Sequence, residues 1–227
     1  MCTSVTARKF DPLGKAAPLD LRLKNDLRKL IFEDPDWDKA ISPDMRSRWV
    51  ENFQILEDIR DIRYARCEIP HDALRKSVRV WLQCDGADDG MIIVAHVGYE
   101  RTNGEYSCSH LIAKNLLSPS GWSTPRIELH ALSSLSNLKA FLESSLGDWI
   151  EDLRCASDST IAISWSIYEK VKLKVFHRMR VANIRNNLNL KNLYHIDGKH
   201  NVADFGTRGD FVTADLLKPG NYWLNGK

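Results

Sequence analysis

The chain has 227 residues, 43% of them hydrophobic, and its 32 Lys and Arg against 30 Asp and Glu leave a net charge of +2. This is the composition of a globular chain able to bury a core, which excludes disordered and collagen-like classes, and at about 150 residues per domain the length suggests one domain with an appendage. No run of about 18 apolar residues occurs, and the amino terminus MCTSVTARKF lacks the apolar core of a signal peptide, so membrane and secretory readings drop out. The five cysteines are odd in number and scattered, with no C-x-x-C pair. That spacing speaks against a disulfide scaffold or zinc knuckle and for reduced thiols in an intracellular compartment, with nucleus and cytoplasm undistinguished.

Residues 1 to about 71 read as polar and helical, broken at Asp11-Pro12-Leu13-Gly14, Asp34-Pro35 and Ser42-Pro43. Ser42 is a cap for a helix starting at Pro43, with Trp49, Val50, Phe53, Leu56 and Ile59 at three- and four-residue steps. This amphipathic helix needs a surface to pack on, and no catalytic constellation accompanies it. After Pro70 the texture becomes that of strands. Residues 77–84 alternate as a half-buried strand, 85–90 form a turn, and 91–99 and 105–113 make two further strands of an antiparallel meander. Thr124 offers a capping hydroxyl ahead of Pro125, opening a helix with Leu132, Leu135, Leu138, Leu142 and Leu146 on one stripe. A short strand (153–156), a helix opened by Ser157-Asp158-Ser159, a basic helical stretch, a strand (192–196) and a short helix near Val202 complete the order βββαβααβα. That order predicts an α/β fold with a mixed sheet, its later strands parallel, covered by helices.

Four acids stand where acids are conspicuous. Asp85 ends the first strand, Glu128 lies four residues before Leu132 on a core-facing stripe, Asp158 ends the fourth strand, and Asp204 sits among Val202, Ala203 and Phe205. Any one of them alone is a cap or a turn residue. With the first and fourth strands adjacent, Asp85 and Asp158 lie side by side. Four crowded carboxylates raise one another's pKa unless a counter-charge is supplied, and divalent cations supply it. Mg²⁺ takes oxygen ligands, and a pair of such ions suits phosphodiester cleavage.

The segments VWLQCDGA, STPRIELHAL, CASDSTIAISW and YHIDGKHNVADFGTRG together resemble the ribonuclease H domain of Pao/BEL-type retrotransposon polyproteins. RKFDPLGKAAPLDLR, DWDKAISPDMRSRW and NYWLNGK resemble the segments flanking that domain, so the resemblance covers nearly the whole chain, with no Y-x-D-D polymerase turn. It implies a ribonuclease H-like five-stranded mixed sheet with helices on both faces over residues 72–227 and a helical, connection-like extension over residues 1–71. It implies also that Asp85, Glu128, Asp158 and Asp204 hold two Mg²⁺ or Mn²⁺ ions, with Asp85 bridging both. The implied reaction is cleavage of the RNA strand of an RNA–DNA hybrid, leaving a 3′ hydroxyl and a 5′ phosphate, with selectivity from contacts to 2′ hydroxyls.

Where the family has a small residue, Ser and a Gly-rich strand after its first Asp, this chain has Gly86-Ala87-Asp88-Asp89-Gly90, read here as a solvated turn. His200 is favoured by its loop context as the histidine that assists proton transfer; His195 at the strand end is the other candidate and reads more readily as structural. Arg126 and Arg208 flank Glu128 and Asp204 and are candidates for phosphate contacts, or else surface and capping arginines. Ser159 joins them as a nucleic-acid candidate. From Lys170 to Lys191 there are seven basic residues and no acid, so the rest of the chain is net acidic. Lys170, Lys172, Lys174, Arg178 and Arg180 then form either a phosphate-tracking strip or a solvated helix face. Trp81, Trp122, Trp149, Trp165 and Tyr168 read as core packing, because an A-form-like duplex keeps its bases paired. A second class of function stays open: a domesticated, catalytically silent module that binds hybrid or double-stranded RNA, or a protein partner through the amino-terminal helices.

Overall fold

The computed structural model describes residues 2–33, 40–169 and 172–226. The break expected at Asp34-Pro35 and the strip residue Lys170 lie outside them. The chain opens with α1 (Cys2–Arg8), α2 (Ala17–Glu33) and α3 (Pro43–Asp58). α3 starts as its sequence predicts: the Ser42 hydroxyl accepts a hydrogen bond from the Met45 N–H, with Pro43 in the first turn. Its buried face is Met45, Trp49, Asn52 and Ile55, and Val50, expected inward, is exposed. The stripe is rotated because Asn52 is drawn into a polar network with α2.

Next come β1 (Arg79–Gly86), β2 (Gly90–Glu100) and β3 (Tyr106–Leu117), an antiparallel meander. Ala87 and Gly90 exchange backbone hydrogen bonds, so Asp88 and Asp89 are the two-residue tip of the first turn. α4 (Thr124–Leu146) follows, and Ser123 rather than Thr124 takes its N-cap position, without a side-chain cap bond. After β4 (Asp152–Ser157) comes α5 (Thr160–Ile167), whose N-cap is Ser159, so Asp158 is not used as the cap. α6 (Val175–Asn187) covers only part of the basic stretch expected as helix, since Lys172 precedes it and Lys174 is its N-cap. β5 (Leu193–His195), α7 (Val202–Thr207) and α8 (Tyr222–Asn225) end the order. Among the described residues no helix is long and apolar enough to cross a membrane.

The sheet runs β3-β2-β1-β4-β5, with β1 parallel to β4 and β4 parallel to β5. Cys84 pairs with Ser157, which sets Asp85 and Asp158 next to each other just beyond the last pair. One face of the sheet, carrying Val80, Leu82, Ile93 and Ala95, is covered by α4 and α6 through Leu132, Leu135, Leu138 and Ile184. The other face, carrying Ile92, Val94 and Ala113, shares a core with Leu19 and Leu23 of α2, Trp49 of α3, Val202 of α7 and Trp223 of α8. β2 is thus buried on both sides, which explains its unbroken apolar run from Met91 to Ala95. The amino-terminal helices are one of the three layers. Gly14, at φ 67°, lets the chain press against β3, where a Cβ would strike the Ala113 carbonyl and where the Ala113 N–H donates to Leu13 O at 2.8 Å.

Candidate active site

β1 delivers Asp85 and β4 delivers Asp158 at their carboxyl ends, where connecting segments leave room for a site. α4 brings Glu128 across from the helical layer on one face, and α7 brings Asp204 from the other. α7 is pinned to β1 by two amides. Asn201 caps the helix by accepting from the Ala203 N–H, and it donates to Cys84 O at 3.0 Å. Gln83, on the same face of β1 as Asp85, accepts from the Val202 N–H at 3.1 Å and donates to His200 O at 3.3 Å. These contacts place Asp204 without using its carboxylate.

Asp85, Glu128 and Asp204 each have a polar side-chain partner. The Thr207 hydroxyl donates to Asp85 Oδ2. Ser159 donates to Glu128 Oε2 at 2.7 Å while accepting from the Ala162 N–H at 3.1 Å, so one hydroxyl caps α5 and orients an acid. Arg208 grips Asp204 with Nε to Oδ1 at 2.9 Å and Nη2 to Oδ2 at 2.7 Å. Burial, with Asp158 and Asp204 adding repulsion, holds the Asp85 carboxyl above the usual carboxylate range. Burial likewise raises Glu128, with Asp158 and Asp85 adding to it. Asp85 and Glu128 are thus held in acidic surroundings, with Arg208 the cation bonded to the neighbouring Asp204.

Among the described residues no three acidic, His or Cys side chains converge as a ready-made metal cage. The carboxylates are turned toward Thr207, Ser159 and Arg208 instead. The donor set nevertheless fits hard divalent cations: it is all carboxylate oxygen, mutually repelling, and short of positive charge.

The other expected residues separate in space. His200 is exposed in a short turn whose Gly198 lies against Asp158 Oδ2, and His195 is exposed at the end of β5 opposite Ser157. Ser159, expected on nucleic acid, is buried, with its hydroxyl donating to Glu128 and accepting from the first turn of α5. Arg208 is engaged by Asp204. Arg126 stacks 3.9 Å from the Phe176 ring and 4.3 Å from Trp122, and Arg180 stacks on the same two rings, 3.4 Å from Phe176 and 5.5 Å from Trp122, with Nε 3.2 Å from His130 Nδ1. Arg126 Nε is buried with no hydrogen-bond partner among the described residues. Lys172, Lys174 and Arg178 are exposed. Trp165 packs against the core as expected, whereas Tyr168 is exposed and Trp149 lies half-open with Arg75 stacked 3.9 Å from its ring. Sequence reasoning missed Thr207, Asn201 and Gln83. Thr207 stands three residues after Asp204, the helical spacing that would have put it on the same face.

A five-stranded 3-2-1-4-5 sheet with helices on both faces and acids at the ends of β1 and β4 defines a ribonuclease H-like, nuclease-type fold. The chain belongs to the family described as the Pao retrotransposon-like RNaseH-like domain, whose model matches residues 1–159. Asp85, Glu128 and Asp158 lie inside the matched segment and Asp204 beyond it. Among solved structures the chain is similar to RNase H1 from Halobacterium salinarum NRC-1, with 10% identity over 56% of this chain and 89% of that one, and a TM-score of 0.31. It is similar also to the N-terminal RNase H domain of rv2228c from Mycobacterium tuberculosis, with 12% identity over 62% and 96% of the two chains and a TM-score of 0.39. No curated protein matches the chain.

Proposed function

We propose that the protein is a metal-dependent endoribonuclease that cuts the RNA strand of RNA–DNA hybrids, with Asp85, Glu128, Asp158 and Asp204 holding two ions of Mg²⁺ or Mn²⁺. What supports this reading is that Asp85 and Asp158 stand side by side just beyond the paired ends of β1 and β4, with Glu128 on α4 and Asp204 on α7 close enough to add to the repulsion that, with burial, raises Asp85 and Glu128. When bound, such ions lower the pKa of an attacking water and stabilise the leaving oxygen. The residues of the chain do the rest. Thr207 and Ser159 each hold one carboxylate oxygen, of Asp85 and of Glu128, and so limit the rotamers from which these acids turn to a metal. Arg208 neutralises Asp204 until the site is loaded. His200 hands a proton to the departing 3′ oxygen, a role supported by its exposure in the turn beside Asp158. Lys172, Lys174 and Arg178 follow the phosphates of the second strand.

The test is incubation of the purified protein with an end-labelled hybrid and with the matching DNA duplex, with and without Mg²⁺ or Mn²⁺. Metal-dependent cleavage of RNA in the hybrid alone is expected. Cleavage of both substrates would assign another nuclease specificity, and tight hybrid binding without cleavage in either metal would make the protein a silent binding module.

A further inference from the structure

Arg22 of α2 is a buried cation far from the acids in sequence, with its side chain 1% exposed. Its Nε donates to Asn52 Oδ1 at 2.6 Å, and Nη2 lies 2.7 Å from Glu51 Oε2, an ion pair set off the hydrogen-bond axis. Nη1 points to two carbonyls of one turn, Gly209 O and Val212 O, each at 3.3 Å. The same turn is held a second time. Arg48 of α3 pairs with Asp210 at 2.7 Å and with buried Asp26 at 3.0 Å, and Asp26 accepts from Asn52 at 2.7 Å, which closes the network.

That turn begins one residue after Arg208, the partner of Asp204, and two residues after Thr207, the partner of Asp85. Phe211 N–H donates to Arg208 O at 2.9 Å, so the turn and the arginine are one hydrogen-bonded unit. Just upstream, Gly206 allows α7 to approach β2 and α2, since a Cβ there would strike Ile92 and touch Pro18. A join between helices and sheet that served stability alone would do as well with apolar side chains, because buried ion pairs rarely exceed their hydrophobic replacements. What a guanidinium adds is direction: it fixes where two carbonyls sit.

We infer that Arg22 is a positioning residue for the acid centre, acting from the amino-terminal helices through the 209–212 turn to set how Arg208 and Thr207 present Asp204 and Asp85. This rests on the nuclease reading above. It makes the amino-terminal helices part of the working site.

The test compares wild type with Arg22→Met, which keeps the stem and removes the carbonyl donors, and with Arg22→Lys. Circular dichroism establishes folding; hybrid cleavage gives kcat and KM; a calorimetric Mn²⁺ titration without nucleic acid reads the acids directly. For Arg22→Met, kcat is expected to fall and the Mn²⁺ dissociation constant to rise, each by about tenfold, the range seen for outer-shell residues. KM for hybrid should stay within about twofold, since no phosphate-binding group is touched, and Arg22→Lys should recover part of the loss. If Arg22→Met does not fold, Arg48→Gln loosens the same turn from a partly exposed position and should show the same pattern. A folded variant with wild-type kcat and Mn²⁺ affinity beside an active wild type would overturn the inference alone. Wild-type protein that neither cuts hybrid nor binds Mn²⁺ would overturn the nuclease reading, and this inference with it.

Discussion

Asp85 shows how one residue joins the fold to its chemistry. It ends an alternating strand, accepts from a buried hydroxyl, and is held above the usual carboxylate range by burial and by its acidic neighbours. A neutral amide of the same shape relieves that repulsion, so Asp85→Asn is expected to leave the metal-free thermal midpoint unchanged or higher while cutting hybrid cleavage by at least about a hundredfold. Near-wild-type turnover would remove Asp85 from the site. Arg208 competes with cations for Asp204, and an exposed bidentate pair of this kind contributes up to about 1 kcal/mol. Arg208→Gln should therefore lower the Mg²⁺ concentration for half-maximal cleavage by about two- to fivefold. A raised KM with unchanged metal demand would return Arg208 to the phosphates.

At the scale of elements, α6 divides the basic stretch into two kinds of residue. Arg180 is turned inward over Phe176, while Lys172, Lys174 and Arg178 stay in solvent. Replacing those three together by Ala should raise KM for hybrid and reduce the slope of log affinity against log salt by about 0.9 for each phosphate no longer neutralised, with kcat at saturation retained. An unchanged slope would make the strip a solvated face. Arg180→Ala should act differently, lowering stability by about 1 kcal/mol through loss of the aromatic stack. Sequence periodicity found the helix; it did not tell an arginine that stacks from one that reaches out. The distinction depends on Trp122 and Phe176, which come from two separate parts of the chain.

For the whole molecule, the second face of the sheet binds both chain ends to the centre. His96 of β2 pairs with His110 of β3 across the ladder, their rings edge to face at 5.8 Å. His96 Nε2 lies 2.8 Å from Trp223 O, and Trp223 Nε1 donates to Lys15 O at 2.7 Å. Burial depresses His96 to about 4 and His110 well below its ordinary value, with His96 and Lys15 adding to the latter. In the unfolded chain both rings take protons near pH 6.5. Between that pH and about 4 the unfolded state binds more protons, so stability is complete above about pH 6.5 and falls on acidification, by up to about 1.4 kcal/mol per pH unit for each ring. Urea midpoints measured from pH 7.5 to 4.5 should show this decline, and His96→Gln should flatten it. A wild-type profile with no slope in that window would show that neither ring is held neutral.

The sequence by itself determined the meander, the leucine stripe of α4, the cap at Ser42, and the four acids at element ends, because each is a local pattern of period or spacing. The neighbourhood of Asp85 and Asp158 followed from it too, once the first and fourth strands were taken as partners. Only the tertiary structure decided that α2 and α3 complete the core over Ile92 and Val94, that Arg22 reaches the turn behind Asp204, and that the Ser159 hydroxyl meets Glu128. Those facts join residues separated by 31 to 190 positions. No periodicity records which side chains meet when layers close, because that choice is made by packing and by the need of each buried polar group for a partner.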